Sequence, residues 1–224
     1  IERITDRLSQ QEPIQYILGY TDFCGRRFDI APGALIPRPE TEELTRLVIT
    51  ENSGQPSRIA DLGTGSGCIA VTLALSLSDS KVEAWDISTE ALEIAQRNAR
   101  KHNAHVNFFQ RDILRYDVSE LPEESLDIIV SNPPYIREDD EHLKALGCEP
   151  ITALTSPENG LADLRAIVAG AMAHLKPNGW LLLEHGYDQG EAVREALLAA
   201  GFAAVHTKRD YGDNERVTSG RRPN

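Results

Sequence analysis

The sequence predicts an α/β fold, a mostly parallel sheet covered by helices on both faces. Three observations carry that reading. From residue 58 onward, short β-rich apolar runs alternate with helical stripes, the order that builds a parallel sheet. The first of those runs passes straight into a glycine-rich turn, Asp61-Leu62-Gly63-Thr64-Gly65-Ser66-Gly67. The last two runs are separated only by Tyr211-Gly212-Asp213-Asn214, a connection short enough to require an antiparallel pair.

In chain order, residues 2–10 read as the end of a helix carrying Ile4 and Leu8, and residues 20–31 as a hairpin of two short strands around Gly25-Arg26. Pro39 suits a helix start, acids fill the first turn, and Leu44, Leu47 and Val48 give that helix its apolar stripe. Arg58–Leu62 is then a strand, Ser66–Leu77 a helix, Lys81–Asp86 a strand, and Ser88 the cap of a helix running to about Lys101. Val106–Asp112 and Leu126–Ser131 are strands, the second (LDIIVS) of the fully buried kind. A helix over Leu161–Leu175 is expected to stop at Pro177-Asn178-Gly179, before a strand at Trp180–His185. Gln189–Ala200 is a helix closed by Gly201, and Ala203–Arg209 with Arg216–Gly220 completes a seven-stranded sheet.

Composition narrows the function. The 224 residues carry 23 Lys+Arg against 35 Asp+Glu, a net charge of −12, which counts against nucleic-acid binding. The 41% apolar and 26% charged fractions are those of an ordinary globular chain with a sizeable core. No apolar run approaches the ~20 residues of a membrane span. Cys24, Cys68 and Cys148 form no CxxC pair, so neither a zinc site nor a disulfide framework is expected, and a reducing cytoplasm is. Cys68 reads as a small helix-packing residue. The chain begins at Ile1 rather than Met, so it is expected to be a fragment of a longer protein.

The glycine-rich turn sits where doubly wound folds bind ligands. Its spacing is G-x-G-x-G with Cys68 next, not the G-x-G-x-x-G of a dinucleotide site. Asp61 at its mouth would repel a pyrophosphate but attract an ammonium or hydroxyl, which suits a nucleoside bearing an amino acid. Asp86, ending the second strand, is placed to accept both hydroxyls of a ribose. Asp112-Ile113 is placed to flank an adenine, as an acceptor for its amino group and an apolar wall.

Asn132-Pro133-Pro134-Tyr135 follows the buried fourth strand. Two prolines there stop both helix and ladder and hold Pro133 extended. The Asn132 side-chain carbonyl and the Pro133 backbone carbonyl form a rigid acceptor pair, matched to the two hydrogens of a planar –NH₂ group. Tyr135 can stack on that group's face. An amide or aromatic amine is a poor nucleophile because its lone pair is delocalised. Two fixed acceptors stabilise the positive charge that grows on it as it takes a methyl group from a sulfonium.

With these residues in place, the chain resembles the S-adenosyl-L-methionine-dependent methyltransferases of the NPPY type. More narrowly, IPRPETEEL (36–44), NPPYI (132–136), EPITAL (149–154), LLLEHGYDQG (181–190) and RDYGDNERVTSGR (209–221) resemble the HemK/PrmC family of protein-(glutamine-N5) methyltransferases. The resemblance implies a Rossmann-like class I methyltransferase domain over residues 36–224, with 1–35 as the remnant of an N-terminal helical domain and its linking hairpin. It implies methylation of the glutamine in the Gly-Gly-Gln motif of class 1 peptide chain release factors. Carried over by position, Asp61, Leu62, Gly63, Thr64, Gly65, Asp86, Ile113 and Asn132 would hold S-adenosyl-L-methionine, and Asn132, Pro133, Pro134 and Tyr135 the substrate glutamine. The expected enzyme is a cytoplasmic monomer whose partner is the release factor, without direct contact to nucleic acid or membrane.

Competing readings are a glutamine methyltransferase acting on a ribosomal protein, an adenine-N6 DNA methyltransferase, and a nucleotide-binding module without catalysis. The negative charge opposes the DNA enzyme. Intact Asn132 and Tyr135 oppose the inert module. Glu184 and His185 either line the pocket or are structural. Arg38 and Glu40 either order the linker junction or approach the cofactor. Residues 138–141 form either a solvated acidic loop or a lid over the substrate.

Overall fold

The computed structural model describes residues 2–112 and 123–224. The chain enters through two short helices, α1 (Glu2–Ser9) and α2 (Ile14–Leu18), and a hairpin of β1 (Tyr20–Phe23) and β2 (Arg26–Asp29). The hairpin pairs Phe23 with Arg26, so its turn is Cys24-Gly25, one residue earlier than expected. Both turn residues have positive φ, 47° and 71°, the geometry that a two-residue connection between twisted strands demands.

Helix α3 (Pro39–Asn52) has its proline in the first turn with Glu40 and Glu42, and buries Leu44, Leu47 and Val48 as its stripe predicts. The alternation then begins with β3 (Arg58–Leu62), α4 (Cys68–Ser76), β4 (Lys81–Asp86), α5 (Thr89–His102), β5 (Val106–Gln110) and β6 (Leu126–Ser131). Helix α4 starts later than Ser66 because Gly67, at φ 79°, is its non-helical cap. Cys68 is buried in its first turn, a packing residue as expected. Ser88 caps α5, its Oγ accepting from Ala91 N at 3.1 Å. Strand β5 stops at Gln110 rather than Asp112, since its one neighbour ends with the pair Asp86–Gln110.

After β6 come two 3₁₀ turns, Glu141–Leu146 and Ile151–Ala153, and a single turn, α6 (Pro157–Gly160). Then follow α7 (Ala162–His174), β7 (Leu175–Glu184), α8 (Gly190–Ala199), β8 (Ala203–Arg209) and β9 (Glu215–Arg221). Pro177-Asn178-Gly179 does not end a helix as expected. The helix has already ended at His174, and the three residues bulge from within β7, where pairing jumps from Leu126–Leu175 to Ile128–Trp180. Asn178 N donates to Arg222 O and Arg222 N to Gly179 O, which keeps the bulge tied to the sheet.

The seven strands run in the order β5-β4-β3-β6-β7-β9-β8, parallel except at β9, which is antiparallel to both its neighbours. Residue alternation sorts the core into two layers. Ile59, Val82, Ile128 and Leu182 face α3 and α4, while Ala60, Ile129, Leu181 and Leu183 face α7 and α8. Strand order reverses between β3 and β6, so the chain segments leaving their carboxyl ends diverge and open a crevice there.

Candidate active site

Leu62 and Ser131 are paired at the ends of β3 and β6, so the glycine-rich turn and Asn132–Tyr135 emerge side by side. Ser131 Oγ donates to the Leu62 carbonyl at 2.6 Å, tying the roots of the two segments together. Two cavities open at this point. The larger, about 650 Å³, is walled by Gly63, Gly65, Asp86, Asp112, Asn132 and Pro134, six of the residues named from sequence. The smaller, about 400 Å³, takes Asn132, Pro133 and Tyr135. Asn132 borders both.

On the larger side, the Gly63 and Thr64 amides both donate to the Trp85 carbonyl at 2.9 Å, which folds the turn back over β4. Asp86 accepts Gly65 N at 2.8 Å on one oxygen and Ser88 N at 2.9 Å on the other. Burial holds its carboxyl above the usual range against those two amide bonds. Gly65, at φ 55°, has open space where a Cβ would stand, leaving room for a ligand against the backbone. Gly67 serves packing instead, since its Cβ would lie 2.8 Å from that of Ala95 on α5.

Asp61, Leu62 and Thr64 lie behind this wall, buried at 0%, 1% and 4% exposure. Asp61 accepts the Thr64 hydroxyl at 2.6 Å, its Oδ1 has no hydrogen bond of good geometry, and burial pushes its carboxyl up to about 7. Ile113 lies outside the described residues.

On the Asn132 side, Nδ2 donates to Thr41 Oγ1 at 3.1 Å, so Oδ1 is the amide atom left to accept. The Tyr135 hydroxyl donates to Glu184 at 3.1 Å, and burial with the facing carboxylate raises the phenol well above its ordinary range. Gln189 Nε2 donates to the Tyr135 carbonyl at 2.9 Å. The proline pair is thus held at its flanks by α3, the end of β7 and the residue that precedes α8.

Two wall segments were not assigned to the site from sequence. Residues 149–155 border both cavities, fastened by Ile136 N to Leu154 O at 2.9 Å and Ser156 N to Ile136 O at 3.0 Å. Residues 33–38 complete the partition: Glu149 accepts Ile36 N at 2.9 Å and pairs with Arg38. Arg38 therefore orders the linker junction, and it lines the smaller cavity. Both segments fall within or beside runs that carried the family resemblance, and that was the available signal. Asp163 also lines the larger cavity, with burial raising its carboxyl. Glu138, Asp139 and Glu141 are exposed, as a solvated loop would be.

Residues 23–209 match the Methyltransferase small domain family. A release factor glutamine methyltransferase of Neisseria gonorrhoeae is 46% identical over 99% of this chain and 82% of its own length. Its counterpart in Escherichia coli K12 is 43% identical over 99% and 79%. The chain belongs to the release factor glutamine methyltransferase family. Among solved structures, a ribosomal protein L11 methylase from Lactobacillus delbrueckii superposes with a TM-score of 0.62 at 21% identity, covering 87% of this chain and 84% of that one. A methyltransferase from Pyrococcus furiosus reaches 0.65 at 18% identity, covering 100% of both. At such identities the likeness is one of fold, that of class I methyltransferases.

Proposed function

We propose that this chain methylates the side-chain nitrogen of a glutamine in class 1 peptide chain release factors, with the larger cavity holding S-adenosyl-L-methionine and the smaller the glutamine. The observation that carries the assignment of sides is Asn132, which borders both cavities with its amide oriented by Thr41. The donor set suits the cofactor: Asp86 and Asp112 are acceptors for ribose and adenine, and the backbone at Gly65 is open to close approach. Burial pushes the Asp61 carboxyl behind the turn up to about 7, and an ammonium group bound near it would draw it back toward its charged form.

When bound, S-adenosyl-L-methionine supplies a methyl group on a positively charged sulfur. The protein's work is at the acceptor. Asn132 Oδ1 and the Pro133 carbonyl receive the two hydrogens of the glutamine amide, fixing its plane and turning its nitrogen toward the larger cavity. Proline at 134 has no N–H to compete for the same carbonyls. As positive charge grows on the nitrogen, both acceptors are already in place, so no solvent reorganisation opposes it. The methylated nitrogen, a strong acid while it carries the positive charge, then gives one proton to water. The Tyr135 ring closes one wall of this site.

The net charge of −12 supports a protein rather than a nucleic-acid substrate. No helix among the described residues is long and apolar enough to cross a membrane. We read the enzyme as a cytoplasmic monomer. A labelled methyl-transfer assay offering a release factor, a ribosomal protein and duplex DNA side by side tests the substrate. Label is expected in the release factor alone, and to disappear when the glutamine of its Gly-Gly-Gln motif is replaced by alanine. Label on the ribosomal protein or DNA, with none on the release factor, contradicts the reading.

A further inference from the structure

Gln189 precedes α8 and is only 7% exposed. A buried primary amide is costly unless its oxygen and both its N–H groups find partners. Here all three do. Its Oε1 accepts Gly186 N at 2.8 Å. Its Nε2 donates to the Tyr135 carbonyl at 2.9 Å and to the Asn159 carbonyl at 3.3 Å. Carbonyls only accept and a backbone amide only donates, so this side chain has one possible orientation. Its main chain is fixed too, Gln189 N donating to Gly186 O at 3.0 Å and Gln189 O accepting Val193 N at 3.0 Å. One side chain thereby joins the segment of the proline pair, the α6 turn and the loop that leaves β7.

The α6 turn is shaped for this contact. Glu158 and Asn159 hold φ of 54° and 59°, a left-handed conformation unfavourable to residues with a Cβ, and Gly160 continues it at 83°. A Cβ on Gly160 would collide with both the Tyr135 carbonyl and Gln189 Nε2, so a glycine there admits the amide. The segment that Gln189 holds is stiff. Each proline fixes its own φ and restricts the residue before it to an extended backbone. Asn132–Tyr135 therefore turns largely as one body, and its two ends set its aim. Ser131 and Asn132 anchor one end through Leu62 and Thr41. At the other end Ile136 pairs with Leu154 and Ser156, which belong to a wall of short turns, and Gln189 ties Tyr135 to α8 and the end of β7.

We propose that Gln189 is a positioning residue for methyl transfer: by clamping the Tyr135 carbonyl to Gly186 and Asn159, it fixes where the Pro133 carbonyl points. The inference rests on the methyl-transfer reading above and adds the group that holds the far end of its acceptor pair. Gln189 borders neither of the two cavities, so it acts through Tyr135 and touches neither ligand.

The test compares wild type, Gln189→Glu and Gln189→Leu in the full chain. It measures kcat and KM with a release factor as acceptor, S-adenosyl-L-methionine affinity by calorimetry, and melting temperature. Gln189→Glu keeps the size of the side chain and the acceptor for Gly186 N, but sets a second oxygen against two carbonyls. Gln189→Leu removes all three bonds. Below its melting range each variant lowers kcat by about tenfold or more, while cofactor affinity stays within about threefold. A purely structural role would lower the melting temperature and leave the kcat of the folded enzyme unchanged. A folded variant of either kind within about twofold of wild-type kcat overturns the proposal, as does a cofactor affinity that falls as far as kcat does. If Gln189→Glu fails to fold, Gln189→Leu, which buries no charge, decides alone. A wild type that methylates a different acceptor contradicts the substrate reading instead, and the same comparison on that acceptor still decides the role of Gln189.

Discussion

At the scale of single residues, the site depends on polar groups held out of water. Asp61 shows this most directly, because burial pushes its carboxyl up to about 7. The folded protein therefore keeps the Asp61 proton to a higher pH than the unfolded chain, where an ordinary aspartate loses it near ~4. The stability this group contributes is full below that lower value and is lost as pH rises through about 7. Asp61→Asn, neutral throughout, lacks that loss. Melting temperatures of ligand-free wild type minus those of Asp61→Asn should decline from a pH of ~4 up to the folded value, then level off. A difference constant across that window would show that Asp61 is not held protonated by the fold. The residue types at 61, 86 and 132 could be singled out in the sequence because each ends or follows a strand at one edge of the sheet, although the structure puts Asp61 behind the cavity wall and not on it. The contacts of Thr41, Ser131 and Glu184 were not legible. Each acts through a contact between residues at least 49 positions apart, and nothing in local pattern marks such a partner.

At the scale of elements, the strand and helix alternation was legible because burial on both sheet faces imposes its own periodicity. The errors have local causes. Pro177-Asn178-Gly179 looks like a stop signal, yet pairing to both neighbours of β7 keeps it in the sheet as a bulge. Residues 141–157 gave no period because they form short turns that serve as cavity walls rather than core. The turn α6 is the tightest of these joints. Gly160, at φ 83°, lies so close to the Tyr135 carbonyl oxygen that a Cβ would collide with it. Gly160→Ala should therefore cost ~1–3 kcal/mol in urea unfolding and lower methyl transfer by displacing Tyr135. Unchanged stability together with unchanged turnover would mean that α6 does not brace the site.

At the scale of the whole molecule, topology does the positioning. Strand order reverses at β3 and β6, so the glycine-rich turn and Asn132–Tyr135 leave adjacent strands, and one side chain borders both cavities. Residues 33–38 and 149–155 divide the crevice into its two cavities. That partition was hidden from the sequence because its two halves are joined by Glu149, 113 positions from Ile36. The central claim is that the amide of Asn132 and the Pro133 carbonyl form the acceptor pair for a planar nitrogen. Its most direct test is single-turnover methyl transfer from S-adenosyl-L-methionine to a release factor glutamine by Asn132→Ala. The rate should fall by ~100-fold or more while cofactor binding stays measurable by calorimetry. An Asn132→Ala enzyme that transfers methyl within about threefold of the wild-type rate would contradict the account.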